Sequence, residues 1–390
     1  MFKPSPEFQK RLDKDRATDE IEAKAIKHEQ RRMRTLKGIS STAIFFTFAS
    51  VPVAEYAADV RHNQELQANS IITVEKYADA LHPENRTHGI LNIDGFGSEN
   101  ANVLTKYFDQ AIHNVEDGVE LTVGYNDAPL KYENIADKAI ELANEEGITS
   151  LSIVGESGGG PIAMEVQERI REKSSIAVTA IYLLFAPNGI GGLRQDHQDQ
   201  MNFIDDAKGF PGITYSTPIR LGAEVAFRSG DYTGGTFSQN TNNFFTTVHD
   251  VSNSISEQKL PGTWLMVDQA LQIANADLKT RFENMKKAPA YEMRPTIVYI
   301  GTDNDPVVNN KKSSGEISDY ANAAHIPYFY LNVSGVVHGQ PQFNNDAYIK
   351  ALGGAKTEIQ DSIHAEQARA SLHRITSIAR PYNSAQTPQG

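Results

Sequence analysis

The chain has 390 residues and a formal net charge of −12, with 39% hydrophobic and 22% charged residues. This composition is typical of a globular protein and excludes a collagen-like, wholly disordered or polytopic membrane protein. The acidic balance argues against a nucleic-acid-binding protein that neutralises phosphates. The absence of cysteine excludes disulfides, thiolate metal sites and a thiol nucleophile.

The first 58 residues differ from the rest in charge and hydropathy. Residues 1–37 are highly charged and nearly free of large apolar side chains, which predicts a cytoplasmic or disordered segment. Residues 38–54 carry no charge and follow a basic flank, a pattern typical of membrane insertion. We therefore expect residues 38–58 to form a single-pass membrane anchor with the catalytic domain extracytoplasmic. The alternatives are a cleaved signal on a secreted protein and a soluble helix in a cytoplasmic one.

From residue 88 onward, short apolar runs alternate with helical patterns. Strands are expected over 89–93, 120–125, 150–154, 176–185, 295–300 and 327–333. Helices are expected over 102–115, 135–143, 161–173, 314–324, from about 344, and over 356–378. Strands separated by helices of this length predict βαβ units, and therefore an α/β fold with a mostly parallel sheet flanked by helices.

The alternation stops between residues 188 and 293, which predicts a cap or lid inserted between two halves of the core, 59–187 and 294–380. The insertion is expected to be partly helical after Leu260, because a segment this long needs structure of its own. Its large apolar residues either line an acyl pocket or form a small core within the cap: Phe227, Phe237, Phe244, Phe245, Trp264, Leu265 and Met266. Residues 381–390 predict a disordered tail.

One motif, Gly155-Glu156-Ser157-Gly158-Gly159, lies directly between a predicted strand and a predicted helix. A serine on such a tight turn holds a strained backbone, and flanking glycines let strand and helix approach closely, so that Oγ is exposed. We therefore interpret Ser157 as a nucleophile. The alternative is a glycine-rich turn of the kind that binds phosphate, but no Lys-Ser/Thr pair follows the motif.

A serine nucleophile needs a base and an acid that orients the base. His338 follows the last predicted strand, and Asp303 and Asp305 follow the strand before it. Since the carboxyl ends of parallel strands meet at one edge of a sheet, the order Ser…Asp…His places all of them near Ser157. Asp305 is the preferred acid, because the following Pro-Val-Val can be buried and hold the carboxylate inward. Asp303 is the alternative.

The turn after the first parallel strand, Asp94-Gly95-Phe96-Gly97-Ser98, is the second glycine-rich turn of interest. An oxyanion hole for a tetrahedral intermediate needs two N–H donors beside the nucleophile. The N–H groups of Gly158 and Phe96 are the candidates. A plain glycine-rich turn is the alternative for this segment.

Together these motifs resemble the α/β-hydrolase superfamily over about residues 88–355. The stretch 188–293 stands where that superfamily carries a cap between its sixth and seventh strands. The nucleophile elbow Gly155-Glu156-Ser157-Gly158-Gly159 is similar to that of carboxylesterases and lipases. The Asp94-Gly-Phe-Gly turn looks like the His-Gly-x-Gly turn of the superfamily, with Asp94 in place of the histidine.

The resemblance implies a serine hydrolase that cleaves a carboxylic ester, including a lipid ester or thioester, by acyl-enzyme chemistry. The expected partners are a small-molecule or lipid ester and, through residues 38–54, a membrane; no nucleic acid is expected. No metal or organic cofactor is expected, and the histidines show no H-E-x-x-H or related spacing. The alternatives are a membrane-tethered, non-catalytic binding protein and a peptidase or haloperoxidase-like variant of the same fold.

Overall fold

The computed structural model describes residues 53–195, 237–256, 263–336 and 341–379, together with His338 and short pieces between residues 197 and 225. The predicted segments 1–37 and 381–390 lie outside the described residues. So does the predicted anchor 38–54, apart from its last two positions.

A single seven-stranded sheet organises the larger part of the chain. Its strands run in the order β1-β3-β2-β4-β5-β6-β7, and every neighbouring pair is parallel except β1 with β3. The strands are β1 Thr73–Ala78, β2 His88–Ile93, β3 Val119–Gly124, β4 Ser150–Glu156, β5 Ala177–Leu184, β6 Thr296–Gly301 and β7 Tyr328–Asn332. The predicted mostly parallel sheet is confirmed.

Helices cover both faces of this sheet, as near-continuous apolar strands require. The helices of the described residues, in both compact units, are α1 Val53–Asn69, α2 Asn102–His113, α3 Tyr132–Glu146, α4 Gly159–Lys173, α5 Phe237–Ser256, α6 Thr263–Ala274, α7 Leu278–Lys287, α8 Asn310–Ala324 and α9 Asn345–Ala379. Helices α3, α4, α6, α7 and α8 pack in one apolar core on one face. Helices α2 and α9 pack in a second core on the other face.

The C-terminal region contains one helix where two were expected. Helix α9 runs unbroken for 35 residues from Asn345 to Ala379. Gly353 and Gly354 lie between the two expected helices, but two glycines lower helix stability without stopping a helix that packing supports. Tyr348, Leu352 and Ile359 provide that packing, because their side chains are fully buried in the second core.

Two elements ahead of residue 88 were missed. Strand β1 pairs antiparallel with β3, and helix α1 precedes it. The signal for β1 is weak because the strand is TVEKYA, with two charged residues, and half of its residues are exposed while the others are only partly buried. An edge strand with one neighbour needs fewer apolar side chains than the interior strands do.

The chain between β5 and β6 divides into two parts. Residues 216–259, with residues 53–59, belong to one compact unit, and residues 60–215 and 260–379 belong to the unit that contains the sheet. Helices α6 and α7 therefore belong to the same unit as the sheet. The cap predicted over residues 188–293 stays a prediction. Trp264 and Leu265 are buried in the sheet's own core.

The smaller unit has a modest apolar cluster of its own. Val225 and Val251 are buried and pack with the partly buried Phe244. Phe245, on the same helix α5, is 65% exposed. Asp59 accepts hydrogen bonds at 2.7 Å from both the backbone and the side chain of Thr217. Phe227 and the side chain of Phe237 lie outside the described residues.

Within the described part of the chain, none of the helices combines the length and the apolar character that a membrane crossing needs. The predicted anchor at residues 38–54 is not tested by this result and stays a prediction.

Candidate active site

Ser157 sits on the tight turn between β4 and α4. Its φ of 49° lies in the left-handed region, which L side chains seldom adopt. The turn is held from below by a hydrogen bond of 2.7 Å from Ser157 N–H to the carbonyl of Leu184. A Cβ atom at Gly155 would lie 2.6 Å from the carbonyl oxygen of Gly159, so only glycine fits there. The glycines therefore allow the crossing of strand and helix that presents the serine.

The side chains of Ser157, His338 and Asp305 form one hydrogen-bonded chain. His338 Nε2 lies 2.8 Å from Ser157 Oγ, and His338 Nδ1 lies 2.9 Å from Asp305 Oδ2. These residues follow β4, β7 and β6, whose carboxyl ends share one edge of the sheet. The ring of Phe185 packs edge-on against the imidazole, with centroids 5.8 Å apart.

The Asp305 carboxylate is fully buried and rigidly held. Oδ1 accepts hydrogen bonds from Val307 N–H at 2.8 Å and Val308 N–H at 2.9 Å. Oδ2 accepts a third from Asn310 Nδ2 at 3.0 Å, besides facing His338. Burial opposes ionisation, but the hydrogen bond and charge of His338 and the two backbone donors outweigh it, so the pKa of Asp305 lies below its ordinary value.

Asp303, the alternative acid, points elsewhere. Its Oδ2 accepts a hydrogen bond of 3.2 Å from Asn332 Nδ2 at the exposed surface. Arg194 holds the loop between these two acids, donating to the carbonyls of Asp303 and Asp305. The geometry therefore brings Asp305, and not Asp303, to His338.

The second glycine-rich turn lies against the nucleophile. A Cβ atom at Gly95 would lie 2.8 Å from Ser157 Cβ, so the turn can come this close only with glycine there. A Cβ atom at Gly158 would lie 3.4 Å from Phe96 N and 3.0 Å from Ile273 Cδ1. The two backbone segments that carry the candidate oxyanion donors are thus neighbours. Gly158 also precedes helix α4, whose N-terminal dipole favours negative charge.

Helix α6 fixes this turn from the other side. Gln269 accepts a hydrogen bond of 2.8 Å from Gly97 N–H and donates one of 3.1 Å to the Ser98 carbonyl. The amide thus pairs one donor and one acceptor of the turn directly after Phe96. Gln269 is buried, so water cannot easily replace it.

Two buried carboxyl groups lie beneath the site. Asp94, at the start of the second glycine-rich turn, is hydrogen-bonded to Glu156, the residue before Ser157. Asp94 also accepts 2.7 Å from Gly95 N–H. Burial, and then the charge of Asp94, raise the pKa of Glu156 well above its ordinary value, while burial raises the pKa of Asp94. Because two neighbouring buried carboxyl groups cannot both ionise cheaply, they share a proton.

Several of these supporting residues were not identified from the sequence. Gln269 is 172 positions from the glycine it contacts, and no local pattern connects them. Asn310 was also missed, although it follows Asp305 closely. It donates to both Asp305 and the Thr302 carbonyl and accepts a hydrogen bond from Tyr299. The only signal for Asn310 in the sequence is the pair of asparagines, Asn309 and Asn310, that follows Asp305 closely.

No family model and no curated protein matches the sequence. Among solved structures, the fold is similar to a highly thermostable carboxyl esterase from Bacillus coagulans, with a TM-score of 0.50 and 10% identity over 76% of this chain and 96% of that one. An esterase from Exiguobacterium antarcticum matches with a TM-score of 0.42 and 12% identity over 73% and 95% of the two chains. A bromoperoxidase from Bacillus anthracis matches with a TM-score of 0.42 and 12% identity over 72% and 93%. The fold of the chain is the α/β-hydrolase fold.

Proposed function

We propose that this protein is a serine hydrolase that cleaves carboxylic esters through an acyl-enzyme intermediate, with Ser157, His338 and Asp305 as its catalytic triad. The observation that carries the proposal is the single imidazole that joins the serine hydroxyl at 2.8 Å to a buried carboxylate at 2.9 Å. The left-handed backbone of Ser157 and the closeness of the second glycine-rich turn, which carries Phe96 N–H, also support an acyl-enzyme mechanism.

The mechanism follows from the positions of the atoms. Ser157 O–H donates to His338 Nε2, which takes the proton as Oγ attacks the ester carbonyl. Asp305 is ionised, because its pKa is lowered, and it holds Nδ1–H and stabilises the imidazolium. His338 then gives the proton to the leaving alcohol, and in the second half-reaction it activates the water that releases the acid.

The tetrahedral intermediates need donors for a developing negative charge. The N–H groups of Gly158 and Phe96 serve this role in the proposal, because their segments lie side by side next to Ser157. Gln269 acts as a positioning residue, since it holds the turn that carries Phe96.

An apolar cluster beside the oxyanion turn favours an apolar acyl group. Ile273, Ala270, Leu193 and Val308 are buried together, and Phe96 packs against them. Ile273 also approaches Gly158 directly. We expect p-nitrophenyl butyrate to be hydrolysed faster than the acetate, because each extra buried methylene contributes about 0.8 kcal/mol.

The first experiment is labelling with a fluorescent fluorophosphonate, which reacts only with an activated serine. Wild type should be labelled, Ser157→Ala should not, and His338→Ala should be labelled far more slowly. Hydrolysis of p-nitrophenyl esters, measured on the same three samples, should follow the same order. A folded wild-type protein that neither reacts with the probe nor hydrolyses any ester would instead favour a non-catalytic binding protein.

A further inference from the structure

A second cluster of titratable side chains lies away from the triad, between helix α2 and strand β3. Asp109 and His113 are four residues apart on α2 and therefore face the same way. His113 Nε2 lies 2.9 Å from Asp109 Oδ1 and 3.4 Å from Glu120 Oε1. One ligand atom from each of the three residues falls within 4.8 Å of the others.

These separations fit the ligand set of a metal ion. Nitrogen and oxygen ligands bind Zn²⁺ at about 2.0–2.2 Å. Two ligand atoms at this bond length from one metal ion lie about 3.0 Å from each other when the ligand–metal–ligand angle is a right angle, and about 3.4 Å from each other when it is tetrahedral. The two distances from His113 Nε2, 2.9 and 3.4 Å, fall at these values.

Further polar groups lie directly behind the three ligands, as groups that position metal ligands do. Asp117 Oδ1 lies 3.1 Å from His113 Nδ1 without forming a hydrogen bond with it, and its negative charge favours a proton on Nδ1, so that Nε2 can present its lone pair to a metal ion. Asp117 is itself held by the N–H groups of Leu81 and His82, at 2.8 and 2.9 Å. The other oxygen of Glu120 accepts 2.6 Å from Asn92.

Glu120 supplies the independent sign that a ligand is missing. Its side chain is completely buried on β3, the second strand from one edge of the sheet. Among the described residues, Oε1 accepts no hydrogen bond, although Oε2 is paired with Asn92. A buried carboxylate oxygen that has an ion-pair contact at 3.4 Å but accepts no hydrogen bond is costly, and a bound cation would compensate for that cost.

We propose that Asp109, His113 and Glu120 form a binding site for one divalent transition-metal ion of the Zn²⁺ type, with a structural role. One imidazole and two carboxylates suit such an ion better than Ca²⁺, which takes six to eight oxygen ligands. Glu120 lies near the amino end of β3, whereas the triad follows the carboxyl ends of parallel strands, so the site is at the opposite edge of the sheet. The spacing of the histidines could not indicate it, because the ligands come from a helix and a strand.

The test is calorimetric titration of EDTA-treated full-length protein with ZnCl₂, together with thermal unfolding in Zn²⁺ and in EDTA. Wild type should bind one Zn²⁺ per chain and unfold a few degrees higher with Zn²⁺, about the shift expected when an ion binds only the folded state. Asp109→Asn and Glu120→Gln should abolish both effects. Asp117→Asn, which leaves all three ligands in place, should weaken binding by roughly 10–100-fold.

Asp109→Asn is the decisive variant, because its side chain is 37% exposed and its loss should leave the fold intact. His364→Asn, an exposed histidine on α9, is the matched control and should behave as wild type. Fluorophosphonate labelling should be the same in EDTA and in Zn²⁺, so failure of this proposal is separate from failure of the hydrolase proposal. Equal Zn²⁺ affinity in wild type and Asp109→Asn, or no binding to wild type, would overturn the proposal and leave an ion-pair cluster around a protonated His113.

Discussion

Replacing Asp305 by asparagine tests the triad more sharply than deleting it would. The two backbone donors, Val307 and Val308, both point at Oδ1 and will keep the amide oxygen there. The new NH₂ group must then take the place of Oδ2, where it faces His338 Nδ1 at 2.9 Å and Asn310 Nδ2 at 3.0 Å. In the wild type, Oδ2 accepts hydrogen bonds from His338 and Asn310, so the substitution replaces an acceptor by a donor that faces two donors.

His338 can respond only by changing its tautomer. With an N–H facing it, Nδ1 must present a lone pair, so the ring proton moves to Nε2, 2.8 Å from Ser157 Oγ. Nε2 then cannot accept the serine proton. In serine proteases the equivalent Asp→Asn change lowers kcat by about 10⁴, and we expect a similar loss here, about 5.4 kcal/mol of transition-state stabilisation.

Asn310 cannot relieve the conflict by turning its amide over. Its Nδ2 also donates to the Thr302 carbonyl at 2.9 Å, and its Oδ1 accepts from the Tyr299 hydroxyl at 2.7 Å. Asp305→Asn should therefore also lower stability by about 1–3 kcal/mol, the cost of one buried unpaired donor. That loss is small enough for the variant to fold.

The assay is kcat/KM for p-nitrophenyl butyrate at pH 8, with the folded fraction checked by circular dichroism. Asp303→Asn is the matched control, because it makes the same chemical change two residues away at an exposed carboxylate. We expect Asp303→Asn to stay within about threefold of wild type. If Asp303→Asn were the more damaging substitution, or if Asp305→Asn kept a tenth of the activity, the tautomer argument would be wrong.

Three further predictions follow from the residues around the triad. Gln269→Ala should lower kcat by about 10–100-fold with little change in KM, because the turn that carries Phe96 loses its support. Gln272→Ala, on the same helix α6, is the control and should leave kcat unchanged. Equal effects of the two substitutions on kcat would contradict the positioning role of Gln269. Folding raises the pKa of Glu156, so the wild type is stabilised by the protonated carboxyl at low pH and loses that stability as the pH rises through the raised pKa. Glu156→Gln removes this group, so the Tm of the variant should change less than the Tm of wild type between pH 5 and 9. Parallel curves of Tm against pH would count against the shared proton. Gly353→Ala should raise the free energy of unfolding by about 0.5–1 kcal/mol, measured in urea, since the new methyl group has open space around it within helix α9; a lower value would show hidden crowding.

The sheet was predictable because its signal is local. Strands β2 and β3 are apolar runs that a helix separates. The spacing of the glycines around Ser157 indicates by itself that strand β4 and helix α4 cross closely. The order of Ser157, Asp305 and His338 could be anticipated from the same alternation, since each follows a strand. Catalytic side chains that stand directly after strands are the part of a site that sequence reasoning reaches most easily.

The residues that support the candidate active site could not be predicted from the sequence, for a physical reason. Gln269 and Arg194 act across more than a hundred positions, so their contacts depend on tertiary packing and leave no local pattern. The proton shared by Asp94 and Glu156 depends on burial, which no motif encodes. Helix α9 shows the opposite error, because two helices were expected where the packing of Tyr348 and Leu352 supports a single unbroken one.

Helix α6 has a consequence for how this chain could be shortened or recombined. The helix contributes Trp264 and Leu265 to the core of the sheet, and on its next turn it carries the glutamine that supports Phe96. A shortened chain that keeps the proposed active site therefore has to retain residues 263–287, which form helices α6 and α7. Residues 216–259, which share a compact unit with residues 53–59, are the part where changes would disturb the sheet least. Diversification of such a chain would be expected to concentrate there, while α6 changes as slowly as the sheet itself.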